Sequence, residues 1–368
     1  MKITQIDSYA LEVDAATTWV CCEVAADDVR GFGEALAPRG QDRLVQTALR
    51  EAGRCLVGTE VAQAALPMLA LADEQATGLF ESTVNAALDQ ALWDLRARCL
   101  GVPLFKLLGP SRRREIALYA NINRGTKDRS PRGFAVRAKQ AAEDGFQSVK
   151  IAPFDGLTRA NAHRAQGRYA LSEAIARVEA VREAIGPERR LMIDCHCRLD
   201  LSSALEFLKS TQSVRIDWFE DALPYRDLVS WGHLKAASSA PLVGGETARG
   251  TRDLLPFLER GIWDVIMPDI RFFGGVTELT ALAPLAAQFQ VQIAPHNPRG
   301  PIGTLASAHC MAACPVFDHL EFQYAECCWR GALTRHSEDI RHGVLHLSDA
   351  PGIGLAWDDA VATAHRCV

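Results

Sequence analysis

The sequence predicts an α/β chain: a parallel β/α barrel preceded by a smaller α+β domain. Three observations lead there. From Ile116 onward, short apolar runs alternate with helix-like stretches, the pattern of parallel strands joined by crossover helices. Within that region three carboxylates each close an apolar run at an even spacing of 26 residues: Asp194 in LMIDCH, Glu220 in DWFED and Glu246 in VGGET. A (β/α)8 barrel, typically about 250 residues long, gives roughly this period and carries its active site on the C-terminal strand ends. The N-terminal third follows a different pattern, extended alternation followed by a long amphipathic helix.

The elements follow in order. Residues 2–13 and 18–25 alternate as strands, Asp27-Asp28 falls in the turn after them, and Gly31 to Glu34 starts another extended piece. Residues 41–57 and 60–72 have helical spacing. So does 81–99, where Val84, Ala87, Leu88, Ala91, Leu92 and Leu95 share a face until Gly101-Val-Pro103 stops the helix. Eight barrel strands are expected to end near Asn121–Asn123, Lys150, Asp194, Glu220, Glu246, Asp269, His296 and Glu321. The longest gap, after Lys150, holds a polar stretch at 155–169 and then a helix at 172–185. The expected domains are an α+β unit at 1–115, the barrel at 116–340 and a C-terminal segment, 341–368, that returns to the first domain.

Composition narrows the function. A hydrophobic share of 48% with 23% charged residues fits a soluble globular protein. A net charge of −5 argues against nucleic acid or an anionic membrane as partner. No apolar run approaches the roughly 18 residues of a membrane span, and MKITQIDSYALEV lacks the apolar core of a signal peptide, so the cytoplasm is the expected location. Eleven cysteines with no CxxC suit reduced thiols better than a disulfide framework. Cys195-His196-Cys197 suggests zinc, but strand alternation sends His196 to the side of Asp194 and the two cysteines to the other.

That alternation also decides which residues share the barrel mouth. Counting by twos joins Asp194 with His196, Trp218 with Glu220, Gly244 with Glu246, Met267 with Asp269, Ala294 with His296 and His319 with Glu321. Polar groups therefore gather at one end of an apolar interior. A single carboxylate at a strand end is usually a helix cap or a surface charge; the same pattern on several strands in register is a site. Three convergent carboxylates suit a hard cation such as Mg2+.

Together, ALDQALWDLRARCLGVPLFKLLG, the three carboxylates, MPDIRFFGG, APHNPRGP and PGIGLAWD resemble the enolase superfamily, and within it the mandelate racemase/muconate lactonizing enzyme-like subgroup. The resemblance covers nearly the whole chain. It implies a modified TIM barrel, (β/α)7β, under an α+β N-terminal capping domain. It implies one Mg2+ held by Asp194, Glu220 and Glu246, a small-molecule carboxylate substrate, and a homo-oligomer. It also implies a reaction that begins by removing the proton α to the carboxylate. That proton is very weakly acidic, and a cation on the carboxylate oxygens offsets the second charge of the enediolate.

The resemblance assigns roles residue by residue. His296 and Asp269 match the family's His-Asp dyad, the carboxylate fixing the tautomer of the basic imidazole. Lys150 matches the first lysine of a Lys-x-Lys motif whose second lysine, often the base on the other substrate face, is Ala152 here. Lys150 is therefore expected to neutralise the substrate carboxylate or the enediolate, unless it is only a rim lysine. Asp-x-His at the third strand resembles galactonate-type acid-sugar dehydratases, in which His196 would protonate a departing hydroxyl; a simple hydroxyl contact is the alternative. Glu321 is expected to face the substrate carboxylate, as a hydrogen-bonding electrophile if neighbouring acids raise its pKa and keep it protonated. Asn121 and Asn123 are candidate polyol contacts. Trp19 and the segment around Arg39 lie where family capping loops close over substrate. The expected reaction is Mg2+-dependent dehydration of a sugar acid (aldonate or aldarate) to a 2-keto-3-deoxy acid. An epimerase/racemase or a lactone cycloisomerase using the same enediolate is the alternative.

Overall fold

The computed structural model describes residues 1–15, 17–64 and 78–367. The chain opens with an antiparallel sheet of β1 (Gln5–Asp14), β2 (Thr17–Ala26) and β3 (Val29–Ala35), followed by α1 (Asp42–Gly53) and α2 (Leu79–Cys99). The expected helix over 60–72 falls mostly outside the described residues. Helix α2 lies directly on β3 because β3 carries glycine where the backbones meet. A Cβ on Gly33 would overlap the Ala87 carbonyl. Gly33→Ala should therefore destabilise the protein by about 1–3 kcal/mol in equilibrium unfolding, the usual range for an overpacked interior; an unchanged unfolding midpoint would mean that the interface yields.

Helix α2 is also the joint of the molecule. Buried Asp94 accepts the Phe32 amide (2.9 Å) and the Ile353 amide (2.7 Å) and pairs with Arg98 (2.9 Å), tying the first sheet to the C-terminal tail. Arg98 also donates to the Leu355 carbonyl at 2.9 Å. Further along the tail, the Cys367 amide donates to the Ala10 carbonyl at 2.9 Å.

The barrel strands are β4 (Glu115–Asn121), β5 (Ser148–Ile151), β6 (Arg190–Asp194), β7 (Trp218–Glu220), β8 (Leu242–Gly244), β9 (Val265–Ile266), β10 (Gln292–Ile293) and β11 (Leu320–Gln323). They alternate with α3 (Pro131–Glu143), α4 (Ala165–Ile185), α5 (Leu201–Ser210), α6 (Leu228–Ala237), α7 (Thr251–Leu258), α8 (Gly275–Gln288) and α9 (Pro301–Ala313). Parallel ladders run in order from β4 to β10, and β11 pairs with β4 from the other side. Between β10 and β11, backbone hydrogen bonds take the place of a ladder: Ile293 N to Val316 O at 2.8 Å and Asp318 N to Ile293 O at 2.9 Å. After α10 (Arg330–Leu333), the hairpin β12 (Asp339–Arg341) and β13 (Val344–His346) adds antiparallel to β4, and α11 (Asp359–Ala364) follows. Helix α4 begins at Ala165, earlier than the expected 172, because the end of the polar stretch is already helical. No described helix is long and apolar enough to cross a membrane. All eleven cysteines carry free thiols.

Two apolar layers hold the barrel. Tyr119, Met192, Trp218, Val243, Val265, Met267 and Ala294 fill its interior, and a larger core lies between strands and helices. The strand bases close over a polar plug. Arg190 holds Asp318 with Oδ1 and Oδ2 at 2.9 and 3.0 Å, and His319 stands 3.3 Å from the same carboxylate. Burial alone would raise the pKa of Asp318, but His319 and Arg190 outweigh it and hold the carboxyl at about 2. A folded-state pKa below the unfolded value stabilises the fold above the unfolded value, and that stability is lost as pH falls through the folded one. Asp318→Asn should thus cost about 2 kcal/mol at pH 7. In urea unfolding, the gap to the parent protein should close between roughly pH 4 and pH 2; a gap that does not change with pH would exclude this linkage.

Candidate active site

The C-terminal strand ends open into a cavity of about 930 Å3, roofed by Leu36 and Leu79 of the N-terminal domain. Asn121, Lys150, Asp194, His196, Glu246, His296 and Glu321 all line it. Glu220 is fully buried just beneath, and Asp269 reaches the cavity through His296.

Asp194 and Glu220 are ladder partners on β6 and β7. Their inward direction follows the predicted alternation, since Met192 and Trp218 two residues earlier lie in the inner core. Glu246 arrives differently. The inner-core residue of β8 is Val243, so Gly244 faces outward against Trp263. Gly245, at φ +101, then turns the chain so that Glu246 meets the cavity. Pairing Gly244 with Glu246 by twos is therefore corrected, because a left-handed glycine resets the count.

His196 needs a similar correction. Strand β6 ends at Asp194, and His196 and Cys197 sit in a turn with φ of +48 and +52. The turn folds the ring back, placing Nε2 3.0 Å from Asp194 Oδ2, while the His196 amide donates to Asp194 Oδ1 at 2.9 Å. Asp194 and then burial act in opposite directions on the imidazole, and the carboxylate prevails, raising it to about 9. Cys195 lies in the outer core, away from the cavity.

His296 stands three residues beyond the end of β10. Its Nδ1 is 2.8 Å from Asp269 Oδ2, and its Nε2 is 3.2 Å from Glu246 Oε2. Asp269 is itself gripped by Arg271, whose Nε donates to Oδ1 at 2.9 Å and whose Nη2 closes a second bond. Burial would raise the Asp269 pKa, but Arg271 and His296 hold it below the usual carboxylate range. An ionised Asp269 fixes a proton on Nδ1, while Nε2 faces the Glu246 carboxylate. Burial would lower the His296 pKa, but the flanking acids raise it, so Nε2 can accept a proton only once it is released from Glu246.

Lys150, 1% exposed, donates to Glu220 Oε1 at 2.9 Å and stands 3.2 Å from Glu321 Oε1. Burial would lower its pKa; the two carboxylates outweigh that and keep it an ammonium. Glu321 overturns one expectation. Burial would raise its pKa, but Lys150, His296, the Asn121 side chain (2.5 Å) and the Asn297 amide (3.0 Å) hold it at about 2. It is an ionised acceptor, not a proton-bearing electrophile. The acids that would have raised it are outnumbered by donors. Asn121 is committed to Glu321, and its Oδ1 accepts from Asn123 Nδ2 at 2.8 Å. Trp19 does not line the cavity among the described residues. It is 1% exposed, packed on Trp329 with ring centres 5.2 Å apart. Its place is under the loop at Gly300, because it projects from β2 into the core between the domains.

Three carboxylates at the ends of adjacent strands, Asp194 and Glu220 on them and Glu246 just beyond β8, are an all-oxygen donor set of the kind that hard divalent cations take. Burial, and then Asp194 and Glu246, push the Glu220 pKa well up against the pull of Lys150, which marks a concentration of negative charge that a cation would relieve. In the arrangement described, each acid is engaged by a nitrogen donor. Among the described residues, no three potential ligands close into a finished metal cage. The residues fit the ion in kind, with side-chain movement needed to form the shell.

Sequence reasoning passed over Arg271, Arg124 and Arg299. Arg271 sat in view in MPDIRFFGG, but its bond to Asp269 spans two residues across a turn that no periodicity describes.

Residues 133–361 match the family model for the enolase C-terminal domain-like fold, and residues 8–109 that for the mandelate racemase/muconate lactonizing enzyme N-terminal domain. A D-gluconate dehydratase of Thermoproteus tenax is 31% identical over 376 aligned positions, covering 99% of this chain and 73% of that one. A D-galactarolactone cycloisomerase of Agrobacterium fabrum is 28% identical over 393, covering 100% and 99%. The crystal structure of a mandelate racemase/muconate lactonizing enzyme-like protein from Roseovarius sp. TM1035 superposes with a TM-score of 0.90 at 21% identity, covering 99% of this chain and 95% of that one. Fold, motifs and family models agree: the chain belongs to the mandelate racemase/muconate lactonizing enzyme family of the enolase superfamily.

Proposed function

We propose that this protein is a Mg2+-dependent dehydratase of a sugar acid. The observation that carries the reading is the pair of carboxylate-oriented imidazoles on one cavity, His296 on Asp269 and His196 on Asp194. Dehydration needs a base for the α-proton and an acid for the departing hydroxide, and the two rings can divide that work.

His296 Nε2 takes the α-proton, and Asp269, accepting from Nδ1–H, steadies the imidazolium that results. Lys150, fixed by Glu220 and Glu321, lies against the substrate carboxylate as a permanent positive charge. Asp194, Glu220 and Glu246 would hold Mg2+, which supplies Lewis-acid stabilisation of the second negative charge of the enediolate. His196 gives its proton to the 3-hydroxyl, which leaves as water. The enol then tautomerises to a 2-keto-3-deoxy acid. The dehydratase relative supports this class of reaction.

His196→Asn tests the division of labour. Dehydration should fall about 100-fold or more while α-proton exchange survives, read as 2-keto product against deuterium uptake. Undiminished dehydration would remove His196 as the acid. The second reading is a cycloisomerase of a sugar-acid lactone, using the same base and enediolate. It is favoured by the end-to-end match with the cycloisomerase relative. Isomerised product without a 2-keto-3-deoxy acid from any hydroxy acid would decide for it.

A further inference from the structure

The cavity holds more positive charge than one carboxylate and an enediolate require. Seven of its lining residues are cationic and four anionic, in a chain whose net charge is −5. Three of these cations, Arg271, Arg299 and Arg124, lie close to one another beside the dyad. Arg271 is 1% exposed and commits Nε and Nη2 to Asp269, which leaves Nη1 buried without a partner. Arg299 Nε is likewise buried and unpartnered. The acids nearby do not satisfy these donors: both oxygens of Glu34 accept backbone amides, Gly300 at 2.9 Å and Gly303 at 3.1 Å, and Glu326 pairs with Arg124 through Oε1 while its Oε2 is itself buried without a partner. Burial, followed by repulsion from Arg271 and Arg124, lowers the Arg299 guanidinium to about 10 against the pull of Glu34 and Glu326.

The backbone that carries Arg299 is clamped. Arg124 donates to Pro298 O at 2.7 Å, Arg330 to Arg299 O at 2.8 Å, and Glu34 holds the following turn. A rigidly presented guanidinium with open donors suits a planar or tetrahedral anion, and little ordering cost remains to be met on binding.

We infer that the substrate is a dianion: a sugar acid whose far end carries a second anionic group, carboxylate or phosphate, received by Arg299 and Arg271 with Arg124 behind them. This rests on the sugar-acid reading above and narrows it, placing simple aldonates second.

The test compares three ligand sets of matched configuration: aldarates, 6-phosphoaldonates and aldonates. Binding to the Mg2+-loaded His296→Asn protein is measured by calorimetry, so turnover is not needed, and kcat/KM is measured on the parent enzyme. We expect a dianion to bind about tenfold or more tighter than its aldonate, as a charge-assisted pair gives. Arg299→Gln should erase that preference while aldonate binding, which reports an intact site, is kept; Arg299→Lys should restore part of it. Preference for the aldarate names a carboxylate, and preference for the phosphoaldonate names a phosphate; either supports the inference. Equal binding of dianion and aldonate, or a preference that survives Arg299→Gln, overturns it. Dianion preference in binding with no α-proton exchange on the parent enzyme would fail the dehydratase reading and leave the anion subsite standing.

Discussion

Replacing His296 with asparagine is expected to lower α-proton exchange by about a thousandfold or more, within the range that a positioned general base contributes. Asparagine keeps a polar group near Asp269 but has no basic nitrogen to offer the cavity. The loss should fall on kcat with little change in KM, because in the proposed mechanism His296 Nε2 acts on the proton and not on the bound carboxylate. Deuterium uptake from D2O, followed by NMR, reads the step directly. The fold should persist, since the ring is held by Asp269 and Glu246 at one side of an open cavity and supports no core layer. Uptake at the parent rate would remove His296 as the base.

The second large effect concerns Glu220. Glu220→Gln should weaken Mg2+ binding about 100-fold or more, measured by calorimetry and by the Mg2+ dependence of product formation. Glutamine keeps the shape and loses the charge. The substitution also removes one of the two carboxylates that hold Lys150, leaving Glu321 alone at 3.2 Å. The variant should therefore remain impaired at saturating Mg2+, because an under-compensated buried ammonium is less well placed. Unaltered Mg2+ affinity would contradict the ligand set.

The barrel was legible in the sequence because its strands obey a period of two as far as the ladder runs. Met192 with Asp194 and Trp218 with Glu220 face inward as that period requires, and Ala294 and His296 keep the same side just beyond the end of β10. The reading failed where the chain leaves the ladder. Gly245 and His196 take left-handed backbone, and the side chains after them are aimed by a turn, not by alternation. Charge states were less legible still. Proximity of acids suggested a protonated Glu321, whereas its state is set by four donors from three separate segments, at Lys150, Asn121 and the adjacent His296 and Asn297. Arg271 and Arg299 were missed for the same reason: an arginine in a motif reveals nothing until the acids that pair with it, or do not, are placed in space.

The most direct test of the account is to incubate the enzyme and Mg2+ with a panel of sugar mono- and diacids in D2O, reading α-deuterium by NMR and 2-keto acid with semicarbazide. The account predicts a 2-keto-3-deoxy product from at least one acid. Deuterium uptake without keto product from any of them would contradict dehydration and recast His196 as a binding residue. Neither signal would contradict α-proton abstraction itself.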